Sequence, residues 1–123
     1  MSDEDSNTYG INKNNDDVGP GPQLMGANTL IGNDVYNLAE DDLGDIKEIM
    51  LDMESGRIVY AVLSYGGILG IGEKLFAVPW GALTLDTKNK RFILNVEKDK
   101  LENAPGFDRD NWPDVADPAW TNG

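Results

Sequence analysis

The run Gly66-Gly67-Ile68-Leu69-Gly70-Ile71-Gly72-Glu73-Lys74 resembles a phosphate cradle at first sight, since repeated glycines let backbone N–H groups close on an anion. Its spacing refuses that chemistry. Gly67 to Gly72 has the right gap, but Glu73 stands where a P-loop needs lysine, no Ser or Thr follows Lys74, and no dinucleotide GxGxxG is completed. The run is read instead as a β-bulge or crossover loop whose glycines take positive φ. Two other clusters offer oxygen ligands. Asn12 to Asp17 lacks the spaced acids, central glycine and distant glutamate of a calcium loop. In Glu40-Asp41-Asp42-Leu43-Gly44-Asp45 the carboxylates are adjacent; Gly44 is expected to close a turn into the next strand while the acids keep that rim soluble. No metal or other cofactor is expected.

The chain contains neither Cys nor His, which removes the usual zinc sites, Ser-His and Cys-His nucleophile pairs, thiol redox chemistry and haem ligation by those residues. Paired carboxylates can hydrolyse glycosides without His, but no pair is marked here. A barrel of this size also fills its interior with side chains, leaving no cleft to set one acid's pKa apart from another's. No catalytic residue is nominated, and the chain is read as a non-enzyme.

The 123 residues match one domain, and the formal charge of -12 divides as -4 over 1–29, -5 over 30–103 and -3 over 104–123. With no basic segment, nucleic acid is not an expected partner, and Lys88, Lys90 and Arg91 read as a solvated hairpin tip. Anionic membrane surfaces are disfavoured for the same reason. Met1 to Tyr9 is acidic and polar rather than basic then apolar, so a cytoplasmic location is expected if Met1 is the native start. The apolar runs fall short of the roughly 18 residues a spanning helix needs, and no membrane insertion is expected.

Residues 1–24 are rich in Asp, Asn and Gly, end near Gly19-Pro20-Gly21-Pro22, and read as a disordered acidic tail. Residues 25–103 carry short apolar runs broken by Gly, Asn and Asp, the texture of a small all-β barrel of six or seven short strands. The candidate strands are Leu30-Ile31, Val35-Tyr36, Asp45 to Asp52, Ile58 to Tyr65, Leu75 to Val78, Leu83 to Asp86 and Arg91 to Val96. Residues 97–103 favour one short helix anchored by Leu101 and stopped by Pro105-Gly106. Residues 104–123 read as an extended tail carrying Phe107, Trp112 and Trp120. Ile58 to Leu63 is apolar on both faces, so its outer face needs a cover: the C-terminal segment, a second copy or a partner. Trp112 and Trp120 are expected to clamp the tail over that face.

The order Asp45 to Asp52, then Gly56-Arg57-Ile58-Val59-Tyr60-Ala61-Val62-Leu63-Ser64, Gly66-Gly67 and Gly70-Ile71-Gly72-Glu73-Lys74-Leu75-Phe76-Ala77-Val78-Pro79-Trp80 resembles PRC-barrel domains. Asn103-Ala104-Pro105-Gly106-Phe107-Asp108 and Trp112-Pro113 are similar to the tail of stand-alone members, and the likeness covers about residues 24–120. The family includes the cytoplasmic domain of the photosynthetic reaction centre H subunit and the second domain of the ribosome maturation factor RimM. The resemblance implies a small barrel that docks protein or ribonucleoprotein partners and has no shared catalytic apparatus.

These 123 residues are strongly acidic and show neither a membrane helix of the H-subunit kind nor an RNA-associated domain, so neither relative's specific function is expected to transfer. The expected function is therefore a non-enzymatic adaptor with protein partners and a capacity to form homo-oligomers. The alternatives are an accessory of a photosynthetic or other electron-transfer membrane complex, and a ligand or metal sensor. The expected interaction surface joins Gly66, Gly67, Ile68, Leu69, Gly70, Ile71 and Gly72 with Phe107, Trp112 and Trp120.

Overall fold

The computed structural model describes residues 24–67 and 72–120. Six strands form one sheet: β1 (Asp34–Tyr36), β2 (Asp42–Leu51), β3 (Ile58–Tyr65), β4 (Lys74–Pro79), β5 (Leu83–Asp86) and β6 (Arg91–Leu94). Their spatial order is β4-β3-β2-β1-β6-β5, antiparallel throughout except that β1 and β6 run parallel. The sheet curls into a half-barrel. A four-residue helix α1 (Ala27–Leu30) precedes it and a helix α2 (Lys98–Asn103) follows it.

β2 bends because it carries extra residues. Leu43 has no counterpart between the pairs Val35↔Gly44 and Tyr36↔Asp42, and Lys47 none between Ile46↔Leu63 and Glu48↔Val62. Each insertion shifts the alternation of faces and kinks the strand. The inward side chains of β2 accordingly fall at Leu43, Ile46 and Ile49, three apart instead of two.

These side chains meet Val35, Ala61, Leu63, Val78, Phe92, Leu94 and Leu101 in the main core. The expected helix anchor, Leu101, is fully buried there. Leu83 and Leu85 pack partly buried against the same cluster, opposite Leu94 and Phe92 across the β5–β6 hairpin. Trp80 lies edge-on to Phe92 at 5.8 Å, immediately after Pro79 ends β4.

Two local expectations are corrected. Leu30-Ile31 is not a strand, because Thr29 N–H donates to Gly26 O and Ile31 N–H to Ala27 O, closing a helical turn that seats Leu30 in the core. Gly44 does not close a turn but lies inside β2 at φ 119°, facing Val35. A Cβ there would sit 2.0 Å from the carbonyl oxygen of Ser64, so only glycine permits β3 to approach this closely.

Gly44→Ala is therefore expected to cost more than about 3 kcal/mol, combining backbone strain with a clash against β3. Gly81→Ala, where a Cβ meets nothing within 4 Å, is expected to stay within about 0.5 kcal/mol of the parent. Urea denaturation of the two variants measures the difference.

Candidate functional site

β3 is apolar on both sides, and the chain covers each. Ala61, Leu63 and Tyr65 face the main core, while Tyr60 and Val62 join Leu75 and Ala77 of β4 in a second, outer cluster. Opposite the step from Met50 to Leu51, Val59 is the extra residue, which is why Ile58 packs with the inner cluster and Val59 with the outer one.

The outer cluster is roofed by the C-terminal segment, through Phe107, Trp112 and Ala116. The rings of Phe107 and Trp112 meet edge to face at 5.3 Å, and Trp112 Nε1–H donates to Arg109 O at 2.6 Å. This segment is a strap along the free edge of β4. Phe107 N–H donates to Leu75 O at 2.7 Å and Asp117 N–H to Ala77 O at 2.9 Å. Between those ties, Tyr60 Oη–H reaches Pro113 O at 2.8 Å. An edge strand left open is a template for pairing with other chains, and the strap covers it. Gly106 makes the approach possible, since at φ 75° its Cβ position lies 2.8 Å from Leu75 O.

Trp120 takes a different place from the one expected. It turns into the main core at the end of a short 3-10 turn, Pro118–Trp120, edge-on to Phe76 at 5.0 Å and only 3% exposed. Trp112 thus roofs the outer face and Trp120 plugs the inner one. Lys100 lies 5.2 Å over the Trp120 ring and donates to Ala119 O at 2.8 Å. The Trp120 Nε1–H is buried without a partner, a state that costs about 1–3 kcal/mol.

The glycine-rich loop feeds the ionic fastening of the strap. Gly66, Gly67 and Gly72 are exposed and take the expected positive φ, at 74°, 81° and 84°, but the loop joins the adjacent antiparallel strands β3 and β4 and is a hairpin connection, not a bulge or crossover; Ile68, Leu69, Gly70 and Ile71 lie outside the described residues, as does 1–23 of the N-terminal tail. Next in the chain, the partly buried Glu73 keeps its side chain only 6% exposed. Its carboxylate accepts from the Ser64 hydroxyl, from Lys47 Nζ at 2.9 Å and from Arg109 Nη2 at 3.0 Å. One acid therefore ties β2, β3 and the strap together.

Glu73 and Lys74 do not pair with each other as exposed neighbours. Glu73 precedes β4 and is held by Lys47 and Arg109, while Lys74, the first residue of β4, reaches Glu102 O at 2.6 Å at the end of α2. Tyr65 fastens the same helix by donating to Glu102 Oε2, which with burial pushes the phenol up to about 12. The Ser64 and Lys47 hydrogen bonds, aided by the charges of Lys47 and Arg109, hold the Glu73 carboxyl below its ordinary value. Asp45 moves the other way, raised by burial and then by Asp34 and Glu73.

Sequence spacing missed Lys47, Ser64 and Arg109. Arg109 stands 36 residues from Glu73, and no local periodicity links them. A broad groove of about 640 Å³ opens between the β1–β2 turn and the start of α2, lined in part by Asn37, Asp41, Asn95 and Lys98. Asn37, 4% exposed, is fully engaged there: it donates to Asp41 Oδ2 and Val96 O and accepts from Asp41 N–H. Among the described residues no acidic cluster is arranged to hold a metal ion, and no helix is long and apolar enough to cross a membrane.

A family model described as the PRC-barrel domain matches residues 22–101. Among solved structures, the chain is similar to a putative 16S ribosomal RNA processing protein RimM from Pseudomonas aeruginosa. The identity is 15% and the TM-score 0.40, over 63% of this chain and 47% of that one, so the match spans about half of the other protein. No curated protein matches the chain.

Glu73→Gln keeps a partner for Ser64 but removes the charge, and is expected to lower stability by about 1 kcal/mol, since both cations are partly solvated. Limited proteolysis should then cut faster within 104–120. Because folding lowers the Glu73 pKa, its stabilisation is complete above the ordinary glutamate value and is lost as pH falls through the folded value. Asp45 has the opposite sign and opposes that loss as acid neutralises it. Denaturation across acidic pH should show a shallower acid limb in Glu73→Gln than in the parent. Trp120→Ala is expected to cost about 3–5 kcal/mol, and half-buried Trp112→Ala less, in the same assay.

Proposed function

The chain belongs to the PRC-barrel family, and from that premise we propose that it is a non-enzymatic protein-interaction module that helps assemble a larger complex. The observation that carries this reading is the continuity of loop and strap. Residues that stand far apart in sequence, Gly66, Gly67 and Gly72 on one hand and Phe107 and Trp112 on the other, flank a single fastening in which Glu73 follows the loop and grips Arg109 of the strap. On this reading they make one rim beside β3 and β4.

The interior supports a binding role over a catalytic one. Val35, Leu43, Leu63, Val78, Phe92 and Leu94 fill the curl of the sheet. Glu73, Glu40 and Asp86 are engaged with Lys47 and Arg109, with Arg91, and with Arg91 and Asn89 respectively. Loops on a rigid scaffold are the usual carriers of recognition, and a glycine-rich loop lets a partner approach the backbone closely.

The test is recovery of the tagged full-length protein from its native cells, keeping membranes and ribosomes, with mass spectrometry of what accompanies it. A specific protein is expected to co-purify in near-stoichiometric amount and to be depleted when Trp112→Ala disturbs the rim. Recovery of the chain alone, with no accompanying protein under any condition, would overturn the adaptor reading.

A further inference from the structure

Where the strap stands off β4 it encloses an apolar pocket of about 250 Å³, walled by Ala77, Phe107, Pro113, Val115 and Trp120, with Asp117 as its one acidic lining residue. Deepening the interaction-module reading and resting on it, we propose that this pocket receives one aliphatic or aromatic side chain of an extended, lysine- or arginine-rich segment of a partner protein.

The size selects a side chain over a free small molecule. Pockets for drug-sized ligands begin at about 300 Å³, whereas this one suits a single large residue presented from outside. The charge around it selects the flanking residues. Asp114 stands between the lining residues Pro113 and Val115, and Asp108, Asp110, Asp114 and Asp117 are all exposed along the strap. The strap's one cation, Arg109, is held by Glu73, while Lys74 and Lys100 sit on the carbonyls of Glu102 and Ala119. An apolar hole in an acidic rim is complementary to a hydrophobic residue flanked by cations, and repels the chain's own acidic N-terminal segment.

One further feature fits a polypeptide occupant. Val115 leaves 68% of its surface exposed at the pocket, an apolar group without a cover. Trp120 forms part of the wall, so its indole signal reports on occupancy of the pocket.

The test is titration of the ¹⁵N-labelled full-length protein, at low salt, with a pentapeptide of one leucine flanked by two lysines on each side. The Trp120 indole signal and the amides from Phe107 to Asp117 are expected to move together. Binding should weaken at least tenfold in Val115→Lys, an exposed position that leaves the fold intact, and should vanish when glutamates replace the peptide's lysines. Equal binding of the glutamate peptide, shifts confined to the groove beside Asn37, or no shift at all would overturn the pocket proposal. So would contacts between the Trp120 indole and Ile11 or Val18, which would make the chain's own tail the occupant. A native partner still recovered with Val115→Lys would sink the pocket while leaving the module reading in place. Absence of any native partner would sink the module reading, with the titration still judging the pocket separately.

Discussion

Three residues, Trp80–Ala82, carry the chain from β4 at one edge of the sheet to β5 at the other. Laid flat, six strands at about 4.8 Å spacing would separate those edges by about 24 Å. The step from Pro79 to Leu83 can span at most about 14 Å. The sheet therefore has to curl until its edges approach, and the rest of the structure accommodates that demand. The extra residues of β2 supply the bend, Gly44 allows β3 to close in behind it, and Trp80 against Phe92 packs the seam.

Curling solves one burial problem and creates another. The concave side becomes the main core, but β3 and β4 retain an apolar convex face, and β4 retains an open edge. The strap answers both with few contacts: backbone ties at Leu75 and Ala77, the Tyr60 hydroxyl, two aromatic rings and the Glu73 ion pairs. In a chain with 22 acidic and 10 basic residues, cations are scarce and are used as fasteners. Lys47 and Arg109 hold the strap through Glu73. Lys74 and Lys100 bind the carbonyls of the C-terminal region, and Arg91 joins Glu40 and Asp86 while stacking on Tyr36 at 4.6 Å.

Much of this was legible in the residues. The alternation in Leu83 to Asp86 and Arg91 to Leu94 marks a hairpin with one face inward, and both strands are there. The helix-favouring run ending at Pro105-Gly106 appears as α2, with Leu101 buried. The double apolar character of Ile58 to Leu63 called for a second cover, and Phe107 and Trp112 supply it. Legibility stopped where a tertiary contact outweighed local pattern. Leu30 looked like strand but is set in a helical turn, Gly44 looked like a turn signal but relieves a contact with Ser64, and Trp120 went to the opposite face from Trp112. A bulge also hid the start of β2: Asp45 to Asp52 reads as a strand, but Asp42 to Gly44, where the inserted Leu43 breaks the period of two, reads as an acidic turn.

By itself, the sequence determined the kind of molecule: an acidic, cysteine- and histidine-free β domain with a short helix after its last strand and an aromatic C-terminal segment. Those properties follow from composition and from periodicity within a few residues, which short-range backbone geometry enforces. Only the tertiary structure decided that Glu73 and Arg109 would meet across 36 residues, that the strap would run along β4, and that Trp120 would line a pocket beside Val115. Such pairings depend on how the curled sheet brings distant segments together, and no local pattern encodes a distance that closure of the fold creates.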